Sequence, residues 1–223
     1  MIKRVVAFGD SWIHGDGLID QSDSSKESWQ YREDNCLVGQ LGKLLGIPFR
    51  ASIINKGLSG GSLQSTQWEF AHWAQSETNF SDTLVLIGLT ESSRQSWWRS
   101  NHNEANYMHN HHVFPGHGWE DFVKFYQLNS NDPGLWKMNY WLAVEFFSNW
   151  CQVNRVPLAM FNVFPAPCNS SHVIQPSWNM RGHLDMLEHT VGNVTAPCKH
   201  PNQKGYKLLA EYLFTHLKET KFD

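Results

Sequence analysis

The sequence predicts a three-layer α/β/α sandwich, in which helices cover both faces of a central parallel sheet. Short apolar runs that end in glycine or polar residues alternate along the chain with segments of helical periodicity. Strands that are apolar throughout are typical of parallel sheets buried on both faces. The 223 residues are 41% hydrophobic and 17% charged, which suits one folded domain with a sizeable core. We therefore expect a single domain over residues 1–223.

Four apolar runs are the strand candidates; they lie at residues 2–8, 52–54, 83–87 and 156–163. Apolar residues at helical spacing predict three internal helices and a closing one, at residues 35–45, 62–74, 137–152 and from about 206 onward. Ser62 is suited to cap the second of these helices. Residues 16–33 are polar with little periodicity, which favours a loop. Residues 97–136 are rich in His, Trp, Asn and Gly, and we expect an insertion there.

Composition excludes several classes of protein. The 18 Lys and Arg residues against 21 Asp and Glu give a net charge of −3, and without a basic run this argues against a nucleic-acid partner. No apolar run reaches the ~18 residues that a membrane span needs, and the first residues lack the long apolar stretch of a secretory signal. We therefore expect a cytoplasmic protein with no membrane partner. Four scattered cysteines favour reduced thiols; they are Cys36, Cys151, Cys168 and Cys198.

Polar groups follow three of the strand candidates, and a fourth polar group precedes the closing helix. They are Gly9-Asp10-Ser11, Asn55 to Gly61, Gly88-Leu89-Thr90-Glu91 and Lys199-His200-Pro201-Asn202. The carboxyl ends of parallel strands meet at one edge of a sheet, where active sites form. A serine there needs a base to take its proton, and a glycine N–H in a loop is a suitable donor to an oxyanion. His200 is the candidate base for Ser11.

In this order, the four groups resemble the motifs of the SGNH (GDSL-type) hydrolase family, and the resemblance spans nearly the whole chain. The matching residues are Phe8-Gly9-Asp10-Ser11, Asn55-x-Gly57-x-Ser59-Gly60, Gly88-x-Thr90-Glu91 and His200-Pro201. The resemblance implies a flavodoxin-like sandwich and a serine esterase without a cofactor. It implies that Ser11 is the nucleophile and His200 the general base, with the backbone N–H groups of Ser11 and Gly60 in the oxyanion hole.

Two positions depart from the family pattern. Thr90 stands where the family has an asparagine, so we expect its hydroxyl to act as the third oxyanion donor; losing such a donor costs about 2.7–4 kcal/mol. Pro197 stands three residues before His200, where the family has an aspartate. Either the Pro197 carbonyl orients the imidazole, or an acid from elsewhere does, with Asp185 and Glu188 as candidates.

The insertion offers two further hypotheses. A group of imidazoles beside a carboxylate is a candidate zinc site or a solvated segment, although recognisable ligands from other loops are missing; its members are His109, His111, His112, His117 and Asp121. Trp97 and Trp98 are candidate substrate-binding residues that stack on a sugar face, with Arg94 gripping a carboxylate or phosphate. The alternative is that these aromatics pack the insertion onto the sheet. We expect no resident metal.

We therefore expect a serine esterase that hydrolyses short acyl esters, including acetyl esters of sugars. Its substrate partner is a small-molecule or glycan ester. Two alternatives stay open from the sequence: a glycan-binding or scaffolding protein with a decayed site, and an acyltransferase that uses the same Ser11–His200 pair.

Overall fold

The computed structural model describes residues 2–19, 25–47, 52–98, 105–108 and 132–219. Its main sheet has four parallel strands in the order β2-β1-β3-β6, and a separate hairpin supplies the other two strands. The strands are β1 (Arg4–Gly9), β2 (Ile53–Gly57), β3 (Thr83–Leu89), β4 (Gln95–Trp98), β5 (Ala105–Met108) and β6 (Leu158–Asn162). Because β1 pairs with both β2 and β3, the segment that follows Gly9 is flanked by the ends of two other strands.

Each face of the sheet carries its own layer of helices. Val5 and Ala7 pack into one buried cluster, whereas the alternate residues Val6 and Phe8 pack into the other, as the side-chain alternation of a strand requires. The helices are α1 (Ser11–His14), α2 (Lys26–Asn35), α3 (Leu37–Leu44), α4 (Leu63–Ser76), α5 (Pro133–Asn154), α6 (Met180–Thr190) and α7 (Gln203–Glu219). Helices α1, α3, α6 and α7 cover the first face, and α4 and α5 cover the second. The predicted three-layer sandwich is confirmed.

Helices α2 and α6 lie where the sequence analysis predicts no helix. The segment expected as a loop contains α2, whose only buried residue among ten is Asn35, so it has no apolar stripe to detect. Ser25 begins this helix by accepting a hydrogen bond from the Ser28 N–H, and α2 packs against α3. Helix α6 begins after the cap Asn179. Its buried residues do have helical spacing, at Met180, Leu184 and Leu187.

The insertion expected at 97–136 is described only in part. Strands β4 and β5 form an antiparallel hairpin, with Gln95 opposite Met108 and Trp98 opposite Ala105. Helix α5 starts at Pro133, earlier than its apolar stripe predicts, because Asp132 caps it and proline suits the first turn. The candidate zinc ligands between His109 and Asp121 lie outside the described residues. Within the described ranges, no helix is both long and apolar enough to cross a bilayer.

Candidate active site

Ser11 lies directly after the central strand β1, at the carboxyl edge of the sheet. Asp10 caps the short helix α1 through its Oδ1, which accepts a hydrogen bond from the Trp12 N–H at 3.0 Å. Ser11 is the first residue of this helix and is 6% exposed. The sequence motif therefore places the serine hydroxyl where the strand ends meet.

His200 contacts Ser11 across 189 positions of the chain, with its Nε2 2.9 Å from the Ser11 Oγ. The loop before α7 fixes the imidazole: the Ala196 N–H donates to the His200 carbonyl at 2.8 Å, and Pro201 pairs with Thr195. Lys199, just before the histidine, has a positive φ of 67°. The ring faces the serine, which is the arrangement that a nucleophile and its base require.

The surroundings of the other ring nitrogen of His200, Nδ1, differ from those expected for a group that orients the imidazole. Nδ1 is buried and has no hydrogen-bond partner among the described residues, so neither the Pro197 carbonyl nor an acid holds it. Asp185 instead accepts from Arg181 Nε at 3.1 Å. Glu188 accepts hydrogen bonds from the loop that follows α6. Its donors are the N–H groups of Asn193, Val194 and Thr195 and the Thr195 hydroxyl.

Gly60 lies in a turn that is tied to the end of β1. The Leu58 N–H donates to the Gly9 carbonyl at 2.9 Å, and the Gly61 N–H donates to the Leu58 carbonyl at 2.9 Å. Gly60 has a φ of +72°, which glycine adopts without steric cost. No hydrogen bond to its N–H is present within the described chain.

Thr90 does not have the free hydroxyl that an oxyanion donor needs. Its Oγ1 donates to Asp10 Oδ2 at 2.6 Å, and the residue is 3% exposed. A hydroxyl has one proton to donate, and in this arrangement Thr90 gives it to Asp10. The expected role of this hydroxyl in the oxyanion hole stays a prediction.

Arg94 is also engaged inside the protein. Its Nη1 lies 3.0 Å from Asp10 Oδ2, and its side chain is 12% exposed. Burial raises the pKa of Asp10, although the Arg94 charge and the hydrogen bonds from Thr90 and Trp12 oppose that effect. The guanidinium pairs with the carboxylate of the residue before Ser11, and the contact of Arg94 with substrate stays a prediction. Trp97 and Trp98 follow it in β4, and their contact with substrate stays a prediction.

Sequence reasoning missed a second polar chain next to Ser11. Asp16 Oδ2 accepts from the Ser59 hydroxyl at 2.6 Å, and Asp16 Oδ1 lies 2.6 Å from His14 Nδ1. Arg32 Nη1 lies 3.0 Å from His14 Nε2. No periodic pattern marks these residues, since they come from α1 and the turn after it, from α2 and from the Gly60 loop. In the described part of the chain, no group of three His, Cys, Asp or Glu residues is placed to hold a metal ion.

Comparison with solved structures finds a protein of similar architecture. A lipolytic protein of the G-D-S-L family from Veillonella parvula superposes with a TM-score of 0.53 and 14% identity, covering 97% of this chain and 99% of that one. The chain has the fold of this G-D-S-L protein. At this identity the similarity establishes the fold, and it agrees with the architecture that the motifs imply.

Two other solved structures superpose with TM-scores of 0.44, each at 14% identity. One is described as a G-D-S-L lipolytic protein from Desulfitobacterium hafniense, covering 96% of this chain and 99% of that one. The other is a carbohydrate esterase, covering 99% of this chain and 66% of that one. No protein-family model and no curated protein matches the sequence.

Proposed function

We propose that this protein is a serine ester hydrolase that works through an acyl-enzyme. The observation that carries the proposal is the 2.9 Å contact between His200 Nε2 and Ser11 Oγ at the carboxyl edge of the sheet. A serine hydroxyl becomes nucleophilic when a neighbouring base removes its proton. The Gly60 N–H, which lies in a turn bound to the end of β1, supports the proposal as an oxyanion donor.

The reaction needs two proton transfers in each half. His200 Nε2 takes the Ser11 proton while Oγ bonds to the ester carbonyl carbon, and the Ser11 and Gly60 N–H groups donate to the resulting oxyanion. The intermediate collapses to an acyl-Ser11, and His200 returns the proton to the departing alcohol. In the second half, water gives a proton to His200 while its oxygen bonds to the acyl carbon. The second intermediate then collapses, the bond from the acyl carbon to Oγ breaks, and His200 returns that proton to Ser11 Oγ as the carboxylic acid leaves.

The proposed substrates are short acyl esters, including acetyl esters of sugars. Strand β4 begins one residue after Arg94, which itself contacts Asp10 next to the nucleophile. The tryptophans of this strand, Trp97 and Trp98, follow Arg94 closely along the chain. Aromatic rings are suited to stack on sugar faces.

Hydrolysis of p-nitrophenyl acetate and butyrate tests the proposal. We expect Ser11→Ala and His200→Ala each to lower kcat/KM by at least about 100-fold, since general base catalysis alone contributes that much. Acetate is expected to react faster than butyrate, and a chelator is expected to change nothing. Ser81→Ala, which alters an exposed serine before β3, is the matched control and is expected to retain the wild-type rate.

A fluorophosphonate probe supplies a readout that does not depend on the natural ester. We expect it to label wild-type Ser11 and to leave Ser11→Ala unlabelled. Equal labelling and equal hydrolysis in wild type and both variants would refute the proposal. Product formation that depends on an added sugar alcohol would reassign the same Ser11–His200 pair to acyl transfer.

A further inference from the structure

Asp16 lies beside the proposed catalytic pair but takes no part in the steps above. Its side chain is 6% exposed, in the turn that follows α1. The next residue, Gly17, has a φ of +94° and packs so closely against His200 that an added Cβ would lie 2.9 Å from the His200 Cβ. On its other side, Asp16 accepts the Ser59 hydroxyl at 2.6 Å. The Asp16–Gly17 turn therefore contacts both the histidine and the loop that carries Gly60.

The hydrogen bonds of His14 indicate the tautomer of its ring. The Arg32 guanidinium has only donors, so its 3.0 Å contact requires His14 Nε2 to accept. The ring proton then lies on Nδ1, which donates to Asp16 at 2.6 Å. One ring tautomer, with its proton on Nδ1, satisfies both contacts.

The ionised form of Asp16 is also the favoured one. Burial alone would raise the pKa of Asp16, but hydrogen bonds from His14 and Ser59 outweigh it, and positive charge on His14 and on His200 lowers the pKa further. Asp10, the other carboxylate near His200, differs because Arg94 pairs with it and burial raises its pKa. In the described chain, the polar and titratable groups that contact Asp16 or His200 or act on their charge include Asp10, Ser11, His14, Ser59 and Tyr206. Arg32 contacts His14, and Arg94 contacts Asp10.

We propose that Asp16 is a positioning residue with two tasks: its charge stabilises the imidazolium form of His200, and its hydrogen bond with Ser59 holds the Gly60 loop. This inference rests on the proposed function. When His200 takes the Ser11 proton, a positive charge forms on a ring whose Nδ1 has no hydrogen-bond partner in the described chain. A nearby carboxylate lowers the free energy of that charged form without contacting Nδ1. It replaces the acid that the sequence lacks three positions before His200.

An NMR titration of the His200 ring in the full chain tests the charge. The His200→Ala spectrum assigns the signal. We expect the His200 titration to move to lower pH in Asp16→Asn, because the variant removes an opposite charge that favours the protonated ring. Asp185→Asn removes a carboxylate that pairs with Arg181 instead, and the His200 titration is expected to match wild type. An unchanged His200 pKa in folded Asp16→Asn would overturn the proposal.

Two further measurements separate the effect of the Asp16 charge from the effect of its hydrogen bond with Ser59. Ser59→Ala keeps the carboxylate and removes the loop contact, so we expect slower fluorophosphonate labelling of Ser11 with the His200 titration near that of wild type. In wild type, ring nitrogen shifts should show a neutral His14 protonated on Nδ1 at neutral pH; a doubly protonated ring would overturn the charge argument even if Asp16→Asn did not fold. If wild-type Ser11 resists the probe, the proposed function fails, whereas a lowered His200 pKa in Asp16→Asn would still support the charge of Asp16.

Discussion

Asp10 has a fully buried carboxylate next to the proposed nucleophile, and three donors offset the cost of burying it. These are the Trp12 N–H, the Thr90 hydroxyl and the Arg94 guanidinium. A buried charge that loses a partner is strongly destabilising, since water cannot replace the missing interaction. The residue that replaces the family's asparagine has therefore become part of the support of Asp10.

Replacing Thr90 with valine tests this assignment because it keeps the shape and removes the donor. We expect the free energy of unfolding to fall by about 1.5–3 kcal/mol, the range for a hydrogen bond to a charged group, as measured by urea denaturation. Thr90→Ser retains a hydroxyl and is the matched control. A large loss of kcat in Thr90→Val with unchanged stability would instead support the oxyanion role.

At the scale of elements, the loop between α6 and α7 positions His200, and a carboxylate on α6 positions the loop. Glu188 accepts hydrogen bonds from three consecutive backbone N–H groups, and the Val194 N–H is the main cause of its lowered pKa. Thr195 then pairs with Pro201, the residue after the histidine. Glu188, one of the two candidate acids for orienting the imidazole, therefore contacts the loop that carries His200 and not the ring itself.

Glu188→Ala is expected to slow ester hydrolysis by up to about 100-fold, because a displacement of about 1 Å in a catalytic group can cost that much. Asp185→Asn on the same helix removes a carboxylate that is 52% exposed in its pair with Arg181, and it is expected to remain close to wild type. Hydrogen exchange of residues 193–202 should rise in Glu188→Ala alone. Wild-type kinetics in Glu188→Ala would show that the loop holds His200 without this carboxylate.

Helices and strands could be predicted from the sequence where buried apolar residues recur at regular spacing. Site residues could be predicted where a polar motif follows a strand. The apolar run of β3 and the capped helix after Ser62 are local signals of this kind. Helix α2 could not be found because it buries almost nothing apolar. The partners of Thr90 and Asp16 could not be found because they join side chains 80 and 43 positions apart, and only the folded sheet brings them together.

The whole molecule places its chemistry on one edge of a sheet that divides the core into two layers. The proposed nucleophile, its base and the oxyanion loop come from residues 11, 200 and 60, and each follows or precedes an element packed on that sheet. Ser11 and His200 adjoin helices of the first layer, and Gly60 precedes α4 of the second layer, so the three groups draw on both layers. If the chain is a single domain, we expect both layers to unfold together in one cooperative transition.

Two buried thiols report on the two layers separately. Cys36 is buried with α1, α3, α6 and α7, and Cys151 is buried with α4 and α5. Burial raises the pKa of Cys36 to about 11 and that of Cys151 to about 12, so both resist alkylation at neutral pH in the folded state.

With pulse alkylation in increasing urea, read by mass spectrometry, we expect both thiols to become reactive at the same urea concentration. Cys198, which is exposed, should react without urea and is the internal control. Reactivity of Cys151 at a lower urea concentration than Cys36 would show that the α4–α5 layer opens on its own, and the single-domain expectation would fail.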